Sequence, residues 1–283
     1  MGRWPLPLGR AGETGRVLGS LAPARRRLFL AVGGAVTVAL LVAGVAFGVS
    51  ALRGGNAVTP VPQDAQPPVL IVPGYGGGTG GLETLAAALR AHGRDATIVH
   101  LAGDGTGDLD TQADVLQGAV QAAVARGATS VDIVGYSAGG VTVRLWFRAY
   151  DGGSVARRIV TLGSPQHGTD LAALADDIAP DSCPVACRQL ATGSDLIRSL
   201  NSGDETPPGP AWVSIWTTDD RISTPPATAS LEGALDVAVQ SVCPGRSVTH
   251  GQLPEDPAVV AMVLAELART PPVVPPSSVC SAA

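Results

Sequence analysis

Residues 131–150 read Val131-Asp132-Ile133-Val134-Gly135-Tyr136-Ser137-Ala138-Gly139-Gly140-Val141-Thr142-Val143-Arg144-Leu145-Trp146-Phe147-Arg148-Ala149-Tyr150. The run Val131 to Val134 reads as a strand, and Gly139 to Tyr150 carries a helical pattern. Between them lies Gly135-Tyr136-Ser137-Ala138-Gly139, a Gly-x-Ser-x-Gly pentapeptide. In a chain with 36 glycines that pattern is cheap by chance, so its weight comes from context. A serine on a sharp strand-to-helix turn needs small neighbours, because the strand and helix pass closely there. Its hydroxyl then stands at the carboxyl edge of a sheet, where open α/β folds bind ligands.

Outward from this turn, short apolar runs alternate with longer helical patterns. Strands are predicted over Val69–Val72, Ala96–His100, Ile159–Leu162, Trp212–Trp216 and Val237–Val242. Helices are predicted over Leu82–His92, Thr111–Arg126 and Pro257–Leu267. That alternation marks an α/β fold, a mostly parallel central sheet with helices on both faces. The folded domain is expected over 69–270. It is interrupted by a strandless insertion at 165–211, with short helices at Leu171–Ile178 and Asp195–Leu200, long enough to suggest a cover over a functional site. Residues 271–283 form a Pro-rich tail, and there is no internal repeat.

A serine hydroxyl attacks well only when a base takes its proton, and in this architecture the order along the chain is Ser, acid, His. His92 and His100 precede Ser137 and suit a helix end and a strand end. His167 follows a strand on the same sheet edge but precedes any suitable acid strand, so it is expected to line the cleft. His250, in the loop before the last helix, is the expected base. The acid belongs at the end of the preceding strand, in Thr217-Thr218-Asp219-Asp220; Asp220 is preferred, with Asp219 as the alternative. Acyl transfer also needs donors to an oxyanion. The N–H of Ala138 and that of Tyr75, in Pro73-Gly74-Tyr75-Gly76-Gly77-Gly78, are the candidates. No Gly-Lys-Ser/Thr follows these glycines and the chain contains no lysine, so they do not form a phosphate loop.

The 283 residues are 45% hydrophobic and 15% charged, which argues against a mainly disordered chain or a nucleic-acid binder. The net charge of -5 hides an asymmetry: residues 1–60 carry seven arginines against one acid, the remainder twelve against twenty-three. A basic segment (1–27) ends in Arg25-Arg26-Arg27 and precedes 28–52, which holds no charge. As a helix it is longer than a hydrocarbon core of about 30 Å. It is expected to be a transmembrane anchor or a signal segment, with the N-terminus inside and the rest outside or secreted. Residues 53–68 have Pro/Gly linker composition. Export agrees with four cysteines, Cys183, Cys187, Cys243 and Cys280, which allow three connectivities; Cys183 with Cys187 and Cys243 with Cys280 are favoured. A metal site is not expected, because nothing near Cys183 completes a ligand set.

The landmarks Ile71-Val72-Pro73-Gly74-Tyr75-Gly76-Gly77, Gly135-Tyr136-Ser137-Ala138-Gly139, Thr161-Leu162-Gly163-Ser164-Pro165-Gln166-His167-Gly168-Thr169, Trp216-Thr217-Thr218-Asp219-Asp220 and Val248-Thr249-His250-Gly251 occur in that order. Together they resemble small exported bacterial lipases and esterases of the α/β-hydrolase superfamily, of actinobacterial and bacillar type, from Val69 to about Leu267. The resemblance implies an α/β-hydrolase fold and a Ser/His/Asp triad that falls on Ser137, His250 and Asp220. It implies hydrolysis of lipid or other acyl esters through an acyl-enzyme, without a cofactor. One departure is Pro73, where these lipases usually carry His before the glycine. An envelope acyltransferase would use the same triad, and a non-catalytic binding protein could share the scaffold. Expected partners are the acyl-ester substrate and, through 28–52, a membrane; no nucleic acid is expected, and the chain is expected to be a monomer.

Overall fold

A computed structural model of the chain describes residues 60–282. The expected segments 1–27 and 28–52 and the linker as far as residue 59 lie outside the described residues. Among the described residues no helix is long and apolar enough to cross a membrane.

Six strands form the sheet: Val69–Val72 (β1), Ala96–Ile98 (β2), Val131–Tyr136 (β3), Ala156–Leu162 (β4), Ala211–Trp216 (β5) and Leu235–Ala238 (β6). Their order is β2-β1-β3-β4-β5-β6, and every pair is parallel. A parallel sheet is covered on both faces, so its strands have no polar side to show to water. That is why Val69-Leu70-Ile71-Val72 reads as an unbroken apolar run, buried throughout.

Eight helices accompany the strands among the described residues: Gly80–Ala91 (α1), Leu109–Ala125 (α2), Ala138–Ala149 (α3), Asp170–Ile178 (α4), Val185–Gln189 (α5), Asp195–Leu200 (α6), Val239–Val242 (α7) and Pro257–Glu266 (α8). Successive strand residues point to opposite faces, and the core divides accordingly. Val69 and Ile71 pack with Leu82, Leu85 and Leu89 of α1 and Val259, Met262 and Val263 of α8. Leu70 and Val72 pack with Leu116 and Val120 of α2 and Val143, Trp146 and Phe147 of α3. The insertion builds a third cluster, in which Ala172, Ala186, Leu190, Ile197 and Leu200 meet Ala138 and Val141 at the start of α3. A helix over this segment therefore packs directly above the serine turn.

One expected strand is shorter than its apolar run. The pattern of Val237–Val242 predicts an extended run, but the strand ends at Ala238 and the chain winds into α7, where the Cys243 N–H donates to the Val239 carbonyl at 2.8 Å. Val239 and Val242, three apart, both reach the same core cluster, which a helical turn permits and a strand does not. Cys243 then bonds to Cys280, tying the tail to this turn, while Cys183 bonds to Cys187 at the start of α5.

The opposite end of the sheet holds a buried ionic knot. The Asp132 carboxylate accepts hydrogen bonds from Arg94 and from both Nε and Nη2 of Arg157, all nearly inaccessible to water. The same arginines donate to the Leu267 carbonyl at 2.8 and 2.9 Å, and Arg157 also to Ala268 at 3.0 Å. The last carbonyls of a helix lack partners within it, and here guanidinium groups supply them. Arg94 and Arg157 also hold the carbonyls of Pro67 and Gln63, so the packed domain begins ahead of β1.

Beside the knot, Glu266 is buried with one carboxylate oxygen unpartnered, and burial pushes its pKa up to about 7 against the pull of Arg158. A raised carboxyl pKa gives stability that is complete below the unfolded value of 4.5 and is lost as the pH rises through 7. Glu266→Gln is expected to flatten the fall in melting stability between pH 5 and 8, with a gain at pH 8 of up to about 3 kcal/mol. An unchanged slope in thermal melts across that range would contradict the assignment.

Candidate active site

The serine turn depends on backbone that few residues tolerate. Ser137 has φ 54° and ψ −128°, a positive φ that costs a non-glycine residue strain. Its N–H donates to the Leu162 carbonyl of β4 at 2.8 Å, and its carbonyl accepts from Gly140 N–H at 3.0 Å. These bonds hold the strained residue in place. A Cβ on Gly139 would lie 2.3 Å from the Val72 carbonyl oxygen, so only glycine lets α3 leave β3 this close to the end of β1. A Cβ on Gly74 would lie 2.9 Å from the Ser137 Cβ, which puts the loop after β1 directly against the serine.

Ser137, His250 and Asp220 come together from three separate segments. His250 Nε2 lies 2.9 Å from Ser137 Oγ, and His250 Nδ1 lies 2.7 Å from Asp220 Oδ2. All three are nearly buried. Asp220 Oδ1 accepts the N–H groups of Ile222 at 2.8 Å and Ser223 at 2.9 Å, so both oxygens of the carboxylate are used. Asp219 does not reach the imidazole. Its Oδ2 accepts from Ser247 Oγ at 3.0 Å and Val248 N–H at 3.3 Å, steadying the loop that carries His250.

Two further contacts orient the histidine, and neither was legible in the sequence. The Tyr136 hydroxyl donates to the His250 carbonyl at 3.2 Å, and the two rings stand 5.3 Å apart. Burial, with Asp220 and Glu255 nearby, pushes the Tyr136 pKa up to about 12, so this hydroxyl stays protonated as a donor. Thr217 Oγ1 donates to the Val248 carbonyl at 2.7 Å, locking the end of β5 to the same loop.

The expected oxyanion donors are positioned differently from ordinary loop amides. Ala138 is the first residue of α3, where an N–H has no intrahelical acceptor, and helix N-termini favour negative charge. Among the described residues no protein acceptor takes the N–H of Tyr75 or Ala138. The neighbouring Gly76 and Gly77 amides are occupied, by Gly105 and Gly74 carbonyls. The Pro73 carbonyl lies against Gly139, where an added Cβ would stand 2.5 Å from its oxygen.

His167 behaves differently from expectation. Its Nε2 lies 2.8 Å from Glu205 Oε1, and its Nδ1 lies 3.2 Å from the Thr228 carbonyl, so both ring nitrogens are engaged outside the cavity lining. Pro165 and Thr169 of the same loop line the cleft instead. His92 closes the end of α1 and His100 follows β2, both exposed. Among the described residues no cluster of His, Cys, Asp or Glu is arranged to hold a metal ion.

Beside Ser137 opens a cavity of about 250 Å³. Its walls are apolar: Tyr75, Leu171, Ala172 and Ala175, Leu190 and Ile222 contribute, with Cys187 of the first disulfide. The insertion supplies most of this lining. The arrangement can activate a hydroxyl, accept negative charge on an oxygen beside it, and hold an apolar group next to both.

No protein-family model matches the chain, and no curated protein matches it. Solved structures do. Lipase B of Aspergillus fumigatus superposes with a TM-score of 0.60 at 18% identity, over 75% of this chain and 54% of the lipase; the chain thus spans about half of that protein's length. The mature Bacillus licheniformis lipase BlEst2 gives a TM-score of 0.61 at 18% identity, over 76% of this chain and 96% of its own. MGS-MChE2, an alpha/beta hydrolase enzyme from a lagoon-sediment metagenome of Mar Chica, Morocco, gives 0.50 at 18% identity, over 71% and 90%. The parallel sheet, the strand-to-helix turn and these likenesses give the chain the α/β-hydrolase fold.

The two neighbouring acids separate experimentally. Labelling of Ser137 by a fluorophosphonate depends on base activation, so Asp220→Asn is expected to slow it by roughly 10³-fold or more. Asp219→Asn is expected to slow it only a few-fold. Labelling rates in the reverse order would place the acid at Asp219.

Proposed function

We propose that the protein is a serine carboxylic-ester hydrolase, an esterase or lipase acting on esters with an apolar acyl group. The observation that carries this reading is the hydrogen-bonded series Ser137, His250, Asp220 beside an apolar cavity. In the proposed reaction Ser137 Oγ attacks the ester carbonyl while His250 Nε2 takes its proton. Asp220 holds the imidazole through Nδ1–H and stabilises the cation that forms. The developing oxyanion is met by the N–H groups of Tyr75 and Ala138, each worth a few kcal/mol of barrier. The ester C–O bond then breaks, the imidazolium protonates the leaving alcohol, and water releases the acid by the same steps in reverse.

The rim of the cleft bears on the substrate. Tyr75, Leu171 and Ile222 line the cavity and are also exposed, and Leu174 and Ile178 extend the apolar stripe along α4, with Ile178 74% exposed. Apolar side chains gathered at a cleft mouth support contact with lipid or aggregated ester. The two disulfides support an oxidising, exported setting. Attachment through residues 28–52 remains part of the proposal on sequence grounds.

A series of p-nitrophenyl esters from acetyl to palmitoyl is expected to be hydrolysed by the wild type, with Ser137→Ala reduced to background. Undiminished turnover in Ser137→Ala would sink the assignment. The double variant Leu174→Asp with Ile178→Asp is expected to keep turnover of the soluble acetyl ester while losing most hydrolysis of emulsified long-chain ester. Equal losses on both substrates would remove the rim from the reading.

A further inference from the structure

Thr169 closes the motif Gly163 to Thr169, and the proposed chemistry leaves it without a role. It occupies the N-cap of α4 with extended backbone, φ −134° and ψ 135°. A threonine there ordinarily accepts an N–H from the first helical turn, a bond worth about 1 kcal/mol. Thr169 makes no such bond. Its hydroxyl instead crosses to another segment, donating to the Ile222 carbonyl at 2.6 Å and accepting the Thr224 N–H at 3.0 Å. Its own N–H donates to the Leu190 carbonyl at 2.8 Å, and the adjacent Asp170 N–H donates to the Thr224 carbonyl at 2.8 Å. The residue is only 6% exposed, so these bonds are shielded from water.

The segments joined in this way are the walls of the cavity. Ala172 and Ala175 stand on α4, Leu190 ends α5, and Ile222 and Ser223 form the turn after β5. That turn is also gripped by Asp220 Oδ1, while Ser223 Oγ donates to the Gly163 carbonyl at 2.7 Å. One short turn therefore has the acid on one side and the cavity wall on the other, with Thr169 as the link between wall and wall.

We propose that Thr169 is a positioning residue that sets the width of the acyl pocket and thereby the acyl-chain preference of the enzyme. The identity of the ligand rests on the ester-hydrolase reading above. Without the hydroxyl, the start of α4 and the 222–224 turn keep only the Asp170 N–H to Thr224 carbonyl bond between them, and the Ile222 end of the turn is released, so an acyl chain lying between them loses contact in proportion to its length. An acetyl group, confined to the region next to Ser137, does not reach those walls.

The test compares wild type, Thr169→Val and Thr169→Ser on acetyl and octanoyl p-nitrophenyl esters, with calorimetric binding of octanoate and acetate measured separately from turnover. Thr169→Val is expected to raise KM for the octanoyl ester by about tenfold, the scale on which pocket contacts discriminate chain length. Because Thr169 itself borders the cleft, the acetyl-ester KM and kcat for both esters can shift, but by several-fold less than the octanoyl-ester KM, and Thr169→Ser should behave as wild type. Octanoate binding should weaken in Thr169→Val by a similar factor. Thr169→Ala repeats the comparison should the valine variant fail to fold. An unchanged octanoyl-to-acetyl ratio, an equal loss of kcat on both esters, or a serine variant as impaired as valine would overturn the proposal. Octanoate binding that depends on Thr169 in a protein hydrolysing no ester would keep the clamp and reject the hydrolase reading. Ester hydrolysis with chain preference indifferent to Thr169 would do the reverse, and a wild type that neither binds octanoate nor hydrolyses ester would reject both.

Discussion

The backbone of Ser137 is the constraint on which the upper edge of the molecule depends. A non-glycine residue at φ 54° persists only where its surroundings over-determine it, and here two neighbouring strands and a loop do so. β4 supplies the Leu162 carbonyl, β1 ends against Gly139, and the loop after β1 crosses at Gly74. Each contact fixes a different piece: the height of the serine, the departure of α3, and the path of the loop that carries Tyr75. A side chain at either glycine would push two of these apart at once.

From that fixed point the remaining geometry follows through Asp220. One oxygen orients His250 and the other closes the Ile222–Ser223 turn, so the carboxylate cannot move toward one task without weakening the other. Asp219, its neighbour, works on the same loop from the outside, through Ser247 and Val248. The Asp-Asp pair thus divides between orienting the ring and holding the backbone that presents it.

This division explains what the sequence could reveal. The strand-to-helix turn was legible because its demands are local: a strand, two glycines, a serine and a helix within twenty residues. The parallel sheet was legible from runs such as Val69 to Val72, which carry no polar face. The Val237–Val242 run misled because a short apolar run without alternation fits a strand or a helical turn equally, and the choice is made by which neighbours Val239 and Val242 reach. His167 was expected in the cleft because its loop leaves the right sheet edge; its direction depends on Glu205, thirty-eight residues on, which no local pattern announces. Thr169 and Tyr136 were invisible for the same reason, since their partners lie fifty or more residues away.

The fold also separates two kinds of buried charge. At one end of the sheet, Asp132 is saturated by Arg94 and Arg157, which in turn cap the carbonyls ending α8; these three charges are spent on holding termini together. At the other end, the Asp220 carboxylate meets the His250 imidazole and backbone N–H groups, with no guanidinium bonded to it. A carboxylate already neutralised by arginine would have little field left to stabilise an imidazolium. Keeping the arginines at the far end of the strands leaves Asp220 available for a positive charge that appears only while His250 holds the Ser137 proton.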